Sequence, residues 1–414
     1  MRHIASWNFS IPLLFLWTLL SGGTLNERSA WADQQQQADI YVDCDAGRQS
    51  ITKALDQVEA DPITISVNGA CHENVTIQSP NVTLVTTSGA TITAADDTRP
   101  VVFVRADGAT IDGFTIVGGL SGIVASGVQR LNVRNCTIQD ASSAAINVVQ
   151  SSDATIDHCT LTNNRFGVTA ALHSSFTITN SVVSNNTFAG VQAVFGSAAF
   201  IGGNVRAVMG GNQIFGNGAS GIHIAAGSFA AIAQNTIANN GTNNIPHYGH
   251  AGVTAYEAGV NVAGGNTISG NGSFGIELRA SIALIGAGDE FPNIDHVNTI
   301  VGNGVGPNAP PNGGAGISAI LGSKIELENA NISNNTGYGI FAQLQSSVHS
   351  INTTVNSNSK DGVQLTSGSG LLLDDPQNTA TSNGGFDLNC LDAESSVAGN
   401  ITGFANVSQY CTGF

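Results

Sequence analysis

The chain is poor in charge, and poorest in positive charge. Of its 414 residues only 10% are Asp, Glu, Lys or Arg, and Lys and Arg together number 13 against 29 acidic residues. A formal charge of −16 excludes a phosphate-tracking nucleic-acid surface or an anionic-membrane surface, because either needs clustered cations. The same scarcity, with 50 glycines, excludes a helix bundle, and 42% hydrophobic residues exclude disorder. Membrane-length apolar runs are missing: the segment from Phe9 to Leu20 has 12 residues where about 20 span a bilayer. Neither a Cys-x2-Cys nor a His-x3-His spacing occurs, which removes the common zinc motifs.

What is present begins with an export pattern. Arg2 and His3 precede the apolar run, and Ala30-Trp31-Ala32 supplies small residues for cleavage after Ala32, so residues 1–32 are expected to be a signal peptide. Loss of Arg2, Glu27 and Arg28 would take the charge from −16 to −17. A secreted, periplasmic or cell-surface location is expected, with no transmembrane segment after cleavage. Six cysteines suit an oxidising compartment and fall into local pairs, Cys44 with Cys71, Cys136 with Cys159, and Cys390 with Cys411. The outer pairs would tie down the ends of the molecule.

A pattern Gly-apolar-x-apolar starts at Gly122, Gly167, Gly190, Gly221, Gly252, Gly275, Gly316, Gly339, Gly362 and Gly385, with Ala145 in the same phase. Successive intervals are 23, 22, 23, 31, 31, 23, 41, 23, 23 and 23 residues, a period of about 23 interrupted by three insertions. Alternating apolar residues such as Ile222/Ile224 and Ile276/Leu278 have the period of a half-buried strand. A second strand carries Asn-Thr-Ile or a variant, as at Cys136-Thr137-Ile138 and Asn235-Thr236-Ile237. An Asn follows it, at Asn163, Asn185, Asn217, Asn239, Asn271, Asn303, Asn334 and Asn358. Asn and Gly tolerate left-handed backbone angles, which predicts a sharp corner in every period.

One such unit cannot bury its own apolar side, whereas units stacked at about 4.8 Å can. The expectation is an all-β, right-handed solenoid of parallel strands with about 23 residues per coil. The period, the Gly-Ile strand and the Asn-marked turns resemble the right-handed parallel β-helix repeat proteins of the pectate-lyase-like superfamily, over roughly residues 63 to 389. Residues 33–62 would form an N-terminal cap, with a short helix over Gln49 to Ala60 presenting Ile51, Leu55 and Val58, and residues 390–414 a C-terminal cap. The column holding Cys136, Cys159, Ser181, Asn212, Asn235, Asn266 and Asn298 is expected to face inward as an asparagine ladder. Cys136 and Cys159 stand either as a bridge or as two buried thiols.

Insertions in a solenoid leave the stack as loops, and these fall near Val205 to Gly211, Asn243 to His250, Asp289 to Val297 and Val305 to Gly314. Loops gathered on a regular scaffold are expected to border a groove, although drift of tolerated insertions would look the same. The residue after each Gly-apolar pair points outward, giving a column Thr169, Gln192, His223, Thr254, Glu277 and Ser318, with Ala225, Tyr256 and Arg279 two residues further on. Glu277 and His223 are the candidate catalytic residues. Candidate substrate contacts are Gln192, Thr254, Tyr256 and Arg279, with His247, Tyr248 and His250 overhanging from a loop. The competing reading is a solvated polar strand face. Asp289, Glu290 and Asp295 are the candidate ligands for calcium, and no cofactor is otherwise implied.

Known active sites of the resembled superfamily do not carry over. The aspartate cluster with paired arginine of calcium-dependent pectate lyases is missing. Of the polygalacturonase motifs, Asp96-Asp97 and Asp374-Asp375 lie outside the groove and Gly249-His250-Ala251 only approximates Gly-His-Gly. The segment Asn68 to Ile77 is similar to an early strand of pectin methylesterases without their later motifs. The leading expectation is therefore an exported protein that binds or processes an extracellular polysaccharide, as a polysaccharide lyase or glycoside hydrolase if it is an enzyme. A neutral glycan is preferred because carboxylated sugars need cations. The alternative is a non-catalytic surface, matrix or adhesion scaffold.

Overall fold

The computed structural model describes residues 38–411 except 48, 59–60, 87, 204–209, 244–248, 287–296, 308, 311–313 and 375–376. Residues 1–32, expected to be a signal peptide, lie outside the described residues. Each coil contributes one strand to each of three parallel sheets, visited in a fixed order. Sheet A begins with Ala38–Asp43 and Ile63–Asn68, sheet B with Ala70–His72, and sheet C with Val75–Ile77. Among the described residues they hold 15, 13 and 13 strands. Strands alternate inward apolar with outward residues, so Ile222, Ile224, Val253, Ala255, Ile276 and Leu278 all enter one continuous core. The stack extends past the expected limits at both ends. Ala38–Asp43 pairs with Ile63–Asn68, and Ser396–Gly399 pairs with Gly370–Leu373.

The recurring glycine is required for a reason other than corner geometry. Gly252, like the other glycines of its column, does not have a positive φ. A Cβ there would stand 2.6 Å from Ile268 Cγ2 and 2.8 Å from both Asn271 Nδ2 and the Gly275 carbonyl, so the next coil leaves no room for a side chain. The last match in the sequence pattern is out of phase: Val363 pairs with Leu388 and Gln364 with Asn389, so the final coil is 25 residues long and Gly385 lies off the column.

The turn asparagines split into two roles that the sequence pattern merges. Asn163, Asn185, Asn239 and Asn334 adopt left-handed backbone at the corner between sheets B and C. Their successors, together with Asn217, Asn271, Asn303 and Asn358, face inward. Asn217 Nδ2 donates to Asn240 Oδ1 at 2.9 Å, Asn240 Nδ2 to Asn271 Oδ1 at 3.0 Å, and Asn271 Nδ2 to Asn303 Oδ1 at 2.9 Å. Asn240 also donates to the Ile214 carbonyl and accepts from the Asn217 amide, so its hydrogen-bonding capacity is filled inside the protein. The run ends where Asn383 Nδ2 donates at 2.8 Å to Asp387, which only accepts.

A second ladder lines the corner between sheets A and B through Asn212, Asn235, Asn266 and Asn298, and Cys136 and Cys159 occupy its upstream positions. The two cysteines are buried free thiols, each donating to a nearby backbone carbonyl. Serines supply a third ladder between sheets C and A, for example Ser174 to Ser197 to Ser228. Disulfides join Cys44 to Cys71 and Cys390 to Cys411.

The capping helix is shorter than expected, Ile51–Leu55. Ser50 accepts from the Lys53 amide, and the Glu73 carboxylate accepts from the Ile51 and Thr52 amides at 2.9 and 3.0 Å. Asp56 ends the helix after little more than one turn, and Val58 packs on the core from beyond it. Among the described residues no helix is long and apolar enough to cross a membrane.

Candidate functional site

The outward column of sheet C is built by register. Gln192 pairs with His223, His223 with Thr254, Thr254 with Glu277 and Glu277 with Ser318, while Tyr256 stands between Ala225 and Arg279. His223 and Glu277 are thus two rungs apart, about 10 Å at the inter-strand spacing. Alternation makes these positions outward, but they are not a solvated row: His223, Thr254 and Glu277 are 6%, 0% and 3% exposed. Gly249 and His250 explain the cover. A Cβ on Gly249 would collide with Thr254 Oγ1, and the His250 carbonyl accepts from the Ser273 amide, which fixes this end of the loop over the column. Thr254 shares a 2.5 Å hydroxyl contact with Ser220.

Glu277 is the electrostatic centre. Its Oε1 accepts from Arg279 Nε at 2.9 Å and Nη2 at 2.7 Å, and its Oε2 accepts from the Tyr256 hydroxyl at 3.1 Å. The Arg279 guanidinium lies 5.0 Å from the Tyr256 ring centroid, and the edge-on His223 ring is 5.6 Å from the same ring at 88°. Tyr256 therefore joins the imidazole to the ion pair.

Burial holds His223 down at about 4, so its imidazole is neutral at pH 7. The Tyr256 hydroxyl is pushed up, first by burial and then by the Glu277 charge, which keeps it a donor. Burial also lowers His250, against the pull of Glu277. For Arg279 burial acts downward, but the charge of Glu277 and its hydrogen bonds outweigh it and the guanidinium is raised. Solvent reaches the cluster through Arg279 and the partly exposed Gln192, Tyr256 and His250.

Along the described outward column from Thr169 through Ser318 to Phe341, Gln364 and Asn389, Glu277 is the only carboxylate. The arrangement offers hydrogen-bond donors and acceptors held beside an aromatic ring, the chemistry of hydroxyl recognition.

His247 and Tyr248 lie outside the described residues, as do Asp289, Glu290 and Asp295. The insertions do not all border this column. Those at 243–250 and 305–314 leave the corner between sheets B and C, whereas those at 205–211 and 289–297 leave the corner between sheets A and B. The coil of the 205–211 insertion and its neighbours carry a separate depression of about 470 Å³ on sheet A, between Phe200 and Ala263, containing Asn261. Sequence reasoning missed it because small residues such as Ala231 and Ala233 give no local signal. It also missed the neighbouring aromatics of sheet C, Tyr338 and Phe341. They stand three residues apart, a spacing that strict strand alternation would put on opposite faces.

A family model described as right handed beta helix region matches residues 63–206. The fold is a right-handed parallel β-helix. Solved structures similar to this β-helix include a pectate lyase, at 11% identity over 71% of this chain and 78% of that one with a TM-score of 0.41. A mannuronan C-5 epimerase A-module from Azotobacter vinelandii is 12% identical over 91% and 97%, with a TM-score of 0.41. The catalytic domain of an α-1,3-glucanase in complex with nigerose is 16% identical over 91% and 68%, with a TM-score of 0.42. At these identities the likeness is one of fold. No curated protein sequence matches the chain.

Proposed function

We propose that this β-helix is exported and binds an extracellular glycan laid along the outer face of sheet C. The single observation carrying this reading is the cluster in which buried Glu277 fixes both Arg279 and Tyr256 on adjacent rungs. A guanidinium held on two bonds and a phenol held on one are oriented before any ligand arrives, which lowers the ordering cost of binding. Gln192 and His250 complete the exposed rim, with His223 and Thr254 supporting it from beneath. A neutral glycan fits best, because the one cation at the centre is already paired with Glu277. The two disulfides and the leader pattern of residues 1–32 support export.

The test is a glycan array with calcium and with chelator, repeated on Arg279→Ala and on Glu277→Gln, followed by product analysis on every glycan retained. Neutral glycans retained by the wild type and lost by Arg279→Ala support the reading; silence across the array refutes it. New reducing ends or unsaturated products abolished in Glu277→Gln and His223→Ala would make these two residues catalytic. A specific observation favours binding without turnover: both Glu277 oxygens are already engaged by protein donors. Dependence on calcium would implicate the candidate ligands Asp289, Glu290 and Asp295.

A further inference from the structure

Downstream of Glu277 the same outward column passes through Ser318 to Phe341 and then Gln364, so Phe341 is two rungs, about 10 Å, from Glu277. The Phe341 and Tyr338 rings are 5.3 Å apart and within 22° of parallel, and they form one aromatic shelf on a cavity of about 400 Å³. Gln343, Gln364 and Thr366 supply polar groups to its lining.

A buried carboxylate braces this polar lining, as Glu277 does for its own cluster. Asp361, Gln364 and Asn389 are 7%, 6% and 9% exposed. Asp361 Oδ2 accepts from Gln364 Nε2 at 2.9 Å and from Asn389 Nδ2 at 2.8 Å, while its Oδ1 accepts from the Phe386 amide at 2.8 Å. Both side-chain amides are thereby oriented, and since a carboxylate cannot donate, Asp361 cannot satisfy the amide oxygens of Gln364 or Asn389. An aliphatic ligand would bury the shelf but offer no partners to the polar groups of Gln343, Gln364 and Thr366 in the lining. A ligand with an apolar face and a rim of hydroxyls satisfies both halves of the cavity.

We infer that the Tyr338–Phe341 shelf is a pyranose-binding subsite, stacking the C–H face of a neutral sugar ring and hydrogen-bonding its hydroxyls through Gln364, Gln343 and Thr366. The inference rests on the glycan reading above, and it extends the groove by two rungs from the Arg279 cluster. Lys360, with its Nζ 5.3 Å from the Tyr338 ring centroid, braces the outer edge of the shelf.

Saturation-transfer NMR on the full chain tests it, with methyl glucoside, methyl galactoside and methyl mannoside as probes. At least one glycoside should receive transfer at its ring C–H protons. Tyr338→Ala and Phe341→Ala should each reduce that transfer at least fivefold, and Tyr338→Phe should retain it. No transfer to any of the three, or transfer undiminished in both alanine variants, overturns the subsite. Thermal unfolding of each variant identifies a loss caused by misfolding, and in that event Tyr338→Leu, which keeps the apolar volume without the ring, decides in its place. The two readings fail separately. Arrayed glycans lost by Arg279→Ala but bound normally by Tyr338→Ala leave the groove standing without the shelf, whereas a silent array with ring transfer intact leaves the shelf standing alone.

Discussion

Arg279 meets Glu277 with two nitrogens on one oxygen, at 2.9 and 2.7 Å, although the arginine side chain is 47% exposed and the glutamate only 4%. The partners are therefore unequal in what their removal leaves behind. Arg279→Ala strands a buried carboxylate on one phenol, and an expected loss of about 2 kcal/mol reflects the half-exposed site. Adding Glu277→Gln to that variant should recover about half of it. Guanidinium unfolding of the wild type, both single variants and the double variant measures the coupling; additive losses would mean that the pair is not coupled.

His223 gives the molecule an acid-sensitive step. Its folded value of about 4 lies below the ordinary histidine value of about 6.5, so the unfolded chain takes up the proton first. The stability it contributes is whole above about pH 6.5 and is lost as pH falls toward 4, by at most about 3 kcal/mol. His250 is also lowered and acts in the same direction. The expected result is a stability difference between pH 7 and pH 4.5 that shrinks in His223→Gln. A variant with the full wild-type slope would contradict the burial of this imidazole.

The asparagine ladder predicts position-dependent costs. Asn240→Ala removes the acceptor for Asn217 and the donor to Asn271 and the Ile214 carbonyl, for an expected loss of about 3 kcal/mol. At the end of the run, Asp387→Asn places an amide where Asp387 now accepts from Asn383 and the Asn406 amide, and about 1–2 kcal/mol should be lost. Urea denaturation of both variants checks the order.

Asn261 should behave in the opposite way. Its buried Oδ1 has no hydrogen-bond partner among the described residues, and it sits beside Ala231 and Ala263 in the depression on sheet A. Asn261→Leu is expected to be neutral or stabilising by up to about 1 kcal/mol in a thermal melt. A clear loss would show that this amide is used in the native state.

Cys136 and Cys159 are expected to resist alkylation in the native protein, and two thiols per chain should become reactive in denaturant without reductant. Mass spectrometry of the alkylated chain counts them, and no labelling under those conditions would indicate a bridge.

The coil was legible in the sequence because its determinants are local and repeated: Ile222/Ile224 and Ile276/Leu278 alternate, and Gly252 marks a point where one coil presses on the next. What escaped was set by relations between coils. Asn163 and Asn164 are adjacent and chemically identical, yet one turns the backbone and the other bonds across the stack, and only the neighbouring rungs decide which. The column from Gln192 to Glu277 followed from spacing alone, but its burial under Gly249 and His250 did not, since a loop's resting place depends on tertiary contacts. The shelf of Tyr338 and Phe341 was hidden for a related reason: two aromatics three residues apart announce a shared surface only when the chain's path at that corner is known.

The one-way sense of the asparagine ladder has a consequence for shortening the protein. Every amide from Asn186 to Asn358 leans on the next winding, so a cut after any winding strands a hydrogen that had an oxygen to meet. An abbreviated version should therefore fold best when its new last asparagine is followed by an aspartate able to do what Asp387 does for Asn383.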